Sequence, residues 1–242
     1  MASQTRLSDE ARVPLSRDRV LGAAIGLADA GGIEALTMRR LAQELGVEAM
    51  SLYHHVANKD DLLVGILDLV VREMDAPSNA AEWKTAMRRS AISAHEVLVR
   101  HPWACRLLVS GPGVAPARLR YMDAVLRCLR EAGFSVELTH HAYHALDSHI
   151  VGFTLWQLSF SFGSAEELQD MAGNFLRELP ADEFPYLAEH VVHHLRESGD
   201  EDQTEFDFGL DLILDGLEKL REGPAPSPRH RRARTRAGTA AI

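Results

Sequence analysis

The sequence predicts an all-α fold, with a small N-terminal helical domain followed by a larger helical bundle. Apolar residues recur every three or four positions through most of the 242 residues, which is the spacing of one helix face. Two of these helical patterns meet at a turn that contains Gly46. From Trp83 almost to Arg221 the pattern is helical, and it is interrupted near Pro102, at Ser110-Gly-Pro-Gly, at Gly133 and between Pro180 and Pro185.

The first and fourth helices have recognisable ends. Ser16 is placed to begin the first helix, and the pair Gly31-Gly32 ends it. Asn58 is a suitable N-cap for the fourth helix, which carries apolar residues at helical spacing. The first 75 or so residues therefore predict three short helices and one longer connecting helix.

The second and third helices form the most informative segment of the chain. Thr37 can cap the second helix, and Gly46 can adopt the positive φ of the turn that follows. The third helix is predicted from about Glu48 to His55, with Leu52 facing inward. Two helices joined in this way form a helix-turn-helix, whose second helix can enter the major groove of DNA. The alternative is an ordinary helical corner in an all-α enzyme.

The run IEALTMRRLAQELGVEAMSLYHHVANKDDLL resembles the DNA-binding domain of the TetR family of transcriptional repressors, in its tetracycline-repressor branch. A second resemblance lies in FDFGLDLILDGLEKL, which is similar to the last helix of that branch's regulatory domain. The resemblance implies a DNA-binding domain at 15–75 and a regulatory and dimerisation domain at 76–222. It also implies that this second, helical domain binds a small molecule.

The net charge of −9 has to be reconciled with DNA binding. Arg39, Arg40 and Lys59 lie in the predicted DNA-binding domain, whereas much of the acidity follows residue 177. Only the local field meets the phosphates, so an acidic chain can still present a basic surface. Residues 1–14 and the arginine-rich segment 223–242 predict disorder, and the latter could attract phosphates or be a dispensable solvated tail.

The composition also favours a cytoplasmic protein. No apolar run approaches the ~20 residues that span a bilayer, and the N-terminus lacks the apolar stretch of a secretory signal. Cys105 and Cys128 are predicted to be buried and free of a disulfide. No nucleotide-binding motif appears, and no cofactor is expected. His140 and His144 are spaced so that they could share a metal, but surface or core histidines are the preferred interpretation, and no metal site is predicted.

Nine residues are candidates for DNA contact: Thr37, Arg39, Ala49, Met50, Ser51, Tyr53, His54, His55 and Lys59. By the resemblance Arg39 contacts a base or a phosphate, and an arginine can bond both O6 and N7 of guanine. Ala49 and Met50 stand where the tetracycline repressor has polar and proline residues, so a different operator is expected. Tyr53 could instead pack within the domain.

The resemblance also implies a ligand cavity in the second domain. The candidate lining residues are Ser90, Ala94, Trp103, Leu107, Val109, Met122, Tyr143, Asp147 and Trp156. Most of them are apolar or aromatic, so the effector is expected to be apolar or aromatic too, and Ser90 and Asp147 could orient it. Val109 falls where tetracycline-binding members have a magnesium-binding histidine, which argues against a tetracycline–magnesium effector. Each of these residues could equally be plain core.

Two helices are suited to dimerisation. In the last helix Phe206, Leu210, Ile213, Leu214, Leu217 and Leu220 form one stripe, which Phe208 and Leu212 widen. A stripe this broad needs more cover than one neighbouring helix gives, and a helix from Thr139 to Phe162 is also rich in large apolar groups. The sequence therefore predicts a homodimeric repressor that binds palindromic operator DNA and is released by a small molecule. A regulator without an effector, or an activator, remains the alternative, and an enzyme is not expected.

Overall fold

The computed structural model describes residues 14–78, 82–159, 165–197 and 204–223. The regular structure in these ranges is helical, which confirms the predicted fold class. The elements are α1 (Arg17–Gly31), a short 3-10 helix (Ile33–Ala35), α2 (Met38–Leu45), α3 (Ala49–Leu52), α4 (Lys59–Arg72), α5 (Trp83–Arg100), α6 (Pro102–Ser110), α7 (Pro116–Glu131), α8 (Val136–Ser159), α9 (Ala165–Glu178), α10 (Pro185–Glu197) and α11 (Glu205–Glu222). The segments 1–13 and 224–242, on which the predictions of disorder fall, lie outside the described residues. So do Phe160 and Phe162.

The predicted helix starts in the N-terminal domain are confirmed by their caps. Ser16 accepts a hydrogen bond from the amide of Arg19 at 3.2 Å, and Thr37 accepts one from the amide of Arg40 at 3.2 Å. Asn58 accepts one from the amide of Asp61 at 2.8 Å. Each bond satisfies an amide that has no partner within its own helix.

The third helix is shorter than predicted. It ends at Leu52 rather than His55, because the backbone tightens there into bonds between residues three apart. The amide of Tyr53 donates to the carbonyl of Met50 at 3.3 Å, and that of His55 donates to Leu52 at 2.9 Å. The chain therefore continues around the same axis in a tighter turn, so Tyr53 still follows Met50 along one helical path.

α4 belongs to both halves of the molecule. Leu62 and Ile66 in its first half are buried in the domain formed by α1 to α3. Val70 and Val71 in its second half are buried in the bundle formed by α5 to α8, and α4 packs against α1, α6 and α7. The buried residues of the two halves form one continuous cluster rather than two separate cores.

α11 presents different chemistry around its circumference. Its buried face carries Phe206, Leu210, Leu214 and Leu217. A neighbouring face carries acids that pair with α5: Lys84 bonds Asp215 and Glu218, and Arg88 bonds Asp207 and Asp211. The opposite side leaves Phe208 and Leu212 exposed, and Leu220, predicted to share the buried stripe, is exposed as well. None of the described helices is both long and apolar enough to cross a membrane.

A histidine holds α11 against α5. The ring of His95 on α5 stacks on Phe206 of α11 with 4.0 Å between centroids, and its Nδ1 bonds the hydroxyl of Thr154 at 2.8 Å. Burial lowers the pKa of His95, and the nearby charge of His149 lowers it further, whereas Asp207, Glu96 and Gln157 oppose the shift. The packing therefore favours the neutral imidazole.

The free energy of unfolding is expected to fall in acid because of this contact. A histidine whose pKa is lower in the folded chain stabilises the fold above its unfolded pKa of about 6.5, and that contribution is lost as the pH falls below it. Urea denaturation at pH 7.5 and 5.5 measures the loss. The variant His95→Gln should lose less stability between these pH values than the unaltered protein, and an equal loss in both would contradict this role for His95.

Candidate nucleic-acid interface and ligand cavity

The turn between α2 and α3 exposes a surface that matches the predicted DNA contacts. Arg39 on α2 is exposed and has no ion pair within the described ranges. On α3 the side chain of Met50 is 73% exposed, an unusual state for a large apolar group. Tyr53 is 45% exposed, so it is available at the surface as well as in contact with the domain. Gly46, with φ 65° and ψ 35°, sets the angle between the two helices.

The remaining candidates surround these three residues. Thr37, His54 and Lys59 are exposed, and Ala49, Ser51 and His55 are partly buried. The Thr37 hydroxyl oxygen already accepts the Arg40 amide, which leaves its hydrogen for an outside acceptor. Lys59 is the first residue of α4 and makes no ion pair among the residues described here. That these nine residues contact DNA stays a prediction.

A bridge between Arg17 and Asp61 fixes the third helix against its neighbours, and the sequence gave no sign of it. Arg17 of α1 bonds both carboxylate oxygens of Asp61 on α4, at 2.8 and 3.0 Å, and donates to the carbonyl of His55 at 2.7 Å. Asp61 also accepts the amide of Ala57 at 2.9 Å. Arg17 and then this amide lower the pKa of Asp61 to about 2. Arg17 is thus a structural residue here, not a free positive charge.

α6 connects the first domain to the bundle. Asp29, near the end of α1, accepts hydrogen bonds from Trp103 Nε1 at 2.7 Å and His101 Nδ1 at 2.8 Å. Farther along, Arg106 of α6 pairs with Glu34 at 2.7 Å. These contacts mean that a displacement of α6 is transmitted directly to α1.

A second connection links α4 to α7 through a buried carboxylate. Asp68 accepts the amide of Ala117 at 2.6 Å and the guanidinium of Arg72 at 2.5 Å. Ala117 lies in the first turn of α7, and the N-cap residue Ala115 has no side chain able to bond this amide. Asp68 therefore supplies from α4 the acceptor and the negative charge that a helix N-terminus favours.

Two adjoining cavities open between α5, α7 and α8, of about 320 and about 400 Å³ with their mouths included. The first is lined by Met87, Ser90, Ala91, Tyr121, Val125, Tyr143, Leu146, Asp147 and Ile150. The second shares Tyr121, Tyr143, Asp147 and Ile150 and adds Val71, Met74, Ala94, Leu98, Leu108, Arg118, Met122 and Val151. Their size and apolar lining are typical of small-molecule sites of about 300–1,000 Å³.

Five of the predicted lining residues border these cavities: Ser90, Ala94, Met122, Tyr143 and Asp147. Ser90 is bonded to the hydroxyl of Tyr121 at 2.9 Å. Burial raises the pKa of Tyr121 to about 12, so this phenol stays neutral. That these residues bind a ligand stays a prediction.

Four predicted residues lie outside the two cavities. Trp103 is buried against the first domain by its bond to Asp29, and Leu107 is buried on the same helix. Val109 is 72% exposed and points away from the cavity, because Leu108 takes its place in the wall. One residue is about 100° around a helix, so an alignment one position out moves the side chain to another face. Trp156 is 51% exposed near the end of α8.

Several lining residues were not predicted, chiefly Tyr121, Arg118 and Leu108. The sequence places Tyr121 and Arg118 on a helix but does not tell which side of α7 faces the cavity. Their spacing of three residues, which puts them on one face, was the only available signal.

The histidine cluster and the cysteines serve no evident chemistry in the structure. The rings of His140 and His144 have centroids 4.6 Å apart, and both residues are exposed. The described residues include no group of three His, Cys, Asp or Glu side chains arranged to hold a metal ion. Cys105 and Cys128 are buried free thiols, as predicted, and burial raises the pKa of both.

Comparison with known proteins agrees with this architecture. Residues 20–66 match the family model described as bacterial regulatory proteins of the tetR family, and residues 76–221 match the tetracycline repressor-like C-terminal domain. The chain belongs to the TetR family.

Individual TetR-family relatives align along most of their length. The transcriptional repressor DrrR1 of Streptomyces coeruleorubidus is 33% identical over 85% of this chain and 78% of its own. The class C tetracycline repressor protein of Escherichia coli is 30% identical over 86% of this chain and 92% of its own. The crystal structure of ActR from Streptomyces coelicolor with actinorhodin is 30% identical, covers 87% of this chain and all of its own, and superimposes with a TM-score of 0.71. These relatives are named as transcriptional regulators rather than enzymes.

The Arg17–Asp61 bridge can be tested against a neighbouring carboxylate. Asp60 and Asp61 both lie in the first turn of α4, so both interact favourably with the helix dipole, but only Asp61 is bridged to Arg17. Asp61→Asn should lower the free energy of unfolding by about 1 kcal/mol more than Asp60→Asn, since it weakens charged hydrogen bonds. Chemical denaturation at pH 7 measures the difference, and equal losses would refute the bridge.

Proposed function

We propose that this protein is a dimeric, ligand-responsive transcriptional repressor that acts in the cytoplasm. Residues 15–75 serve as its DNA-binding domain and 76–222 as its regulatory and dimerisation domain. One observation carries the proposal: α4 joins an exposed helix-turn-helix to the wall of an apolar cavity through a continuous core. A ligand in that cavity can therefore act on the position of the DNA-binding surface.

DNA is read by α3 and the start of α2. The exposed thioether of Met50 suits an apolar contact with a thymine methyl, and Arg39 suits guanine. Thr37, Ser51, Tyr53 and the two following histidines suit phosphates or bases, and Lys59 suits a phosphate at the start of α4. Ala49 permits close approach at the start of the helix.

Dimerisation supplies the second reading head. Trp156 and Leu155 on α8, together with Phe208 and Leu212 on α11, are exposed in the single chain. An exposed apolar surface of this kind is typical of a protein–protein interface. A two-fold pair built on α8 and α11 would hold two copies of α3 against successive grooves of a palindromic operator.

Effector binding releases the DNA by shifting a population. The cavity wall is connected to the DNA-binding domain by α6, through Asp29, and by α7, through Asp68. An effector that fits better when α6 and α7 are displaced favours the conformation in which α4 is displaced as well. The two reading heads are then incorrectly spaced for their operator.

The relatives support ligand control of this kind. ActR has been crystallised with actinorhodin, and the tetracycline repressors are named for their effector. We extend to this chain the principle of small-molecule control and not the identity of either ligand, because Leu108 and Val109 offer no metal-binding side chain on the corresponding helix.

The DNA-reading surface is tested by removing two of its side chains together. The operator is first selected from fragments of the source genome with the unaltered protein. The double variant Arg39→Ala/Tyr53→Phe should then bind it at least about tenfold more weakly at low salt, because each base contact contributes about 1–3 kcal/mol. Arg40→Ala, which removes an equal charge from the neighbouring position, should have a smaller effect. Unchanged retention by the double variant would rule out this surface.

A further inference from the structure

The polar groups of the cavity fall into two sets, and only one of them lacks partners. Ser90 and Tyr121 bond each other at 2.9 Å, and the Tyr121 hydroxyl also lies 3.5 Å from the Ser90 carbonyl. Their hydrogen-bonding capacity is therefore used inside the protein. A ligand that reaches this end of the cavity meets apolar surface and a satisfied hydroxyl pair.

Asp147 and Arg118 form the second set. Asp147 lies on α8 one turn beyond Tyr143, and both residues line the two cavities where these adjoin. Arg118 lies on the facing helix α7 and lines the second cavity. In the ranges that the structure covers, neither Asp147 nor Arg118 makes a hydrogen bond or an ion pair. Burial raises the pKa of Asp147, and Arg118 and then His144 act against that rise. The carboxylate and the guanidinium are thus close enough to influence each other but do not touch.

The chemistry of the gap between these charges restricts what can fill it. An ammonium group would be attracted by Asp147 but repelled by Arg118, and a carboxylate would meet the reverse. A neutral hydroxyl satisfies both, because it can donate its hydrogen to the carboxylate and accept from the guanidinium. The protein already holds two such hydroxyls, on Tyr121 and Tyr143, but neither is bonded to Asp147 or Arg118.

The rest of the lining favours an aromatic framework. The cavities are walled by the two tyrosines, by Met74, Met87 and Met122, and by aliphatic side chains. Tyrosine rings pack well against planar rings, and methionine thioethers adapt to ring edges. A fused-ring molecule therefore matches the walls, and a hydroxyl on its edge matches the charged pair.

We propose that the cavity binds a neutral fused-ring phenol whose hydroxyl donates to Asp147 and accepts from Arg118. This inference rests on the proposed function in taking the cavity as the effector site. It goes beyond that function by naming the class of ligand and the two residues that select it.

Three small probes separate the contributions of shape, acceptor and donor. Naphthalene offers the fused rings alone, 2-methoxynaphthalene adds an acceptor, and 2-naphthol adds both an acceptor and a donor. Binding to the full chain is measured by fluorescence at pH 7.5, where 2-naphthol is neutral. We expect 2-naphthol to bind about tenfold more tightly than 2-methoxynaphthalene, the gain typical of a hydrogen bond to a charged group.

The variants assign that gain to named side chains. Asp147→Ala should abolish the preference for 2-naphthol over 2-methoxynaphthalene, and Arg118→Met should weaken both oxygenated probes. Affinity for naphthalene should stay within twofold in each variant, which shows that the cavity is intact; Asp147→Asn replaces Asp147→Ala where it does not. Asp123→Asn, an exposed carboxylate on α7, should leave all three affinities unchanged.

Equal affinities of the unaltered protein for 2-naphthol and 2-methoxynaphthalene, or a preference that survives in both Asp147 variants, would overturn the proposal. So would a failure of all three probes to bind. Operator retention is measured on the same preparations without any probe. A protein that retains its operator but shows no phenol preference refutes this inference alone, whereas loss of operator binding refutes the proposed function.

Discussion

The structure depends on one helix that is packed into two places at once. The first half of α4 is buried against α1 and its second half against the bundle, with Leu62, Ile66, Val70 and Val71 on a single continuous core. A helix is stiff, because each residue is bonded to the turn before it, so its ends cannot move independently. The position of α3 relative to the cavity is therefore a property of how α4 sits in the bundle.

Two polar contacts make that coupling specific. Asp29 ties α6 to α1, and Asp68 ties the first turn of α7 to α4. Both are carboxylates that accept two hydrogen bonds across an interface between helices. Breaking such a bond leaves a partly buried charge without its partner, which costs more than the bond itself contributes. The bundle and the first domain therefore have a restricted set of relative positions, as a two-state regulator requires.

Local signals in the sequence predicted the parts of the fold that local chemistry determines. Ser16, Thr37, Asn58 and Gly46 mark helix ends because their own side chains or φ angles end helices, and the structure agrees. The contacts of Arg17, Asp68 and Arg118 were not foreseen, since each partner lies on another helix and the sequence does not fix which faces meet. The same reason explains the exchange of Val109 for Leu108, and Trp103, taken for a ligand contact, instead bonds Asp29. The deepest uncertainty lay in rotation about helix axes, not in where helices begin.

The most direct test of the account fills the cavity without any effector. Ala91 lines the first cavity and is buried, whereas Ala145 on α8 is exposed. Ala91→Phe crowds the wall that α7 and α8 share, and overpacking of this kind displaces neighbouring elements. With helix content and dimer size unchanged, the account predicts that Ala91→Phe binds the selected operator at least about tenfold more weakly than Ala145→Phe in a gel shift. Equal operator affinity of the two variants would contradict the claim that the cavity and the DNA-reading surface are coupled through α4.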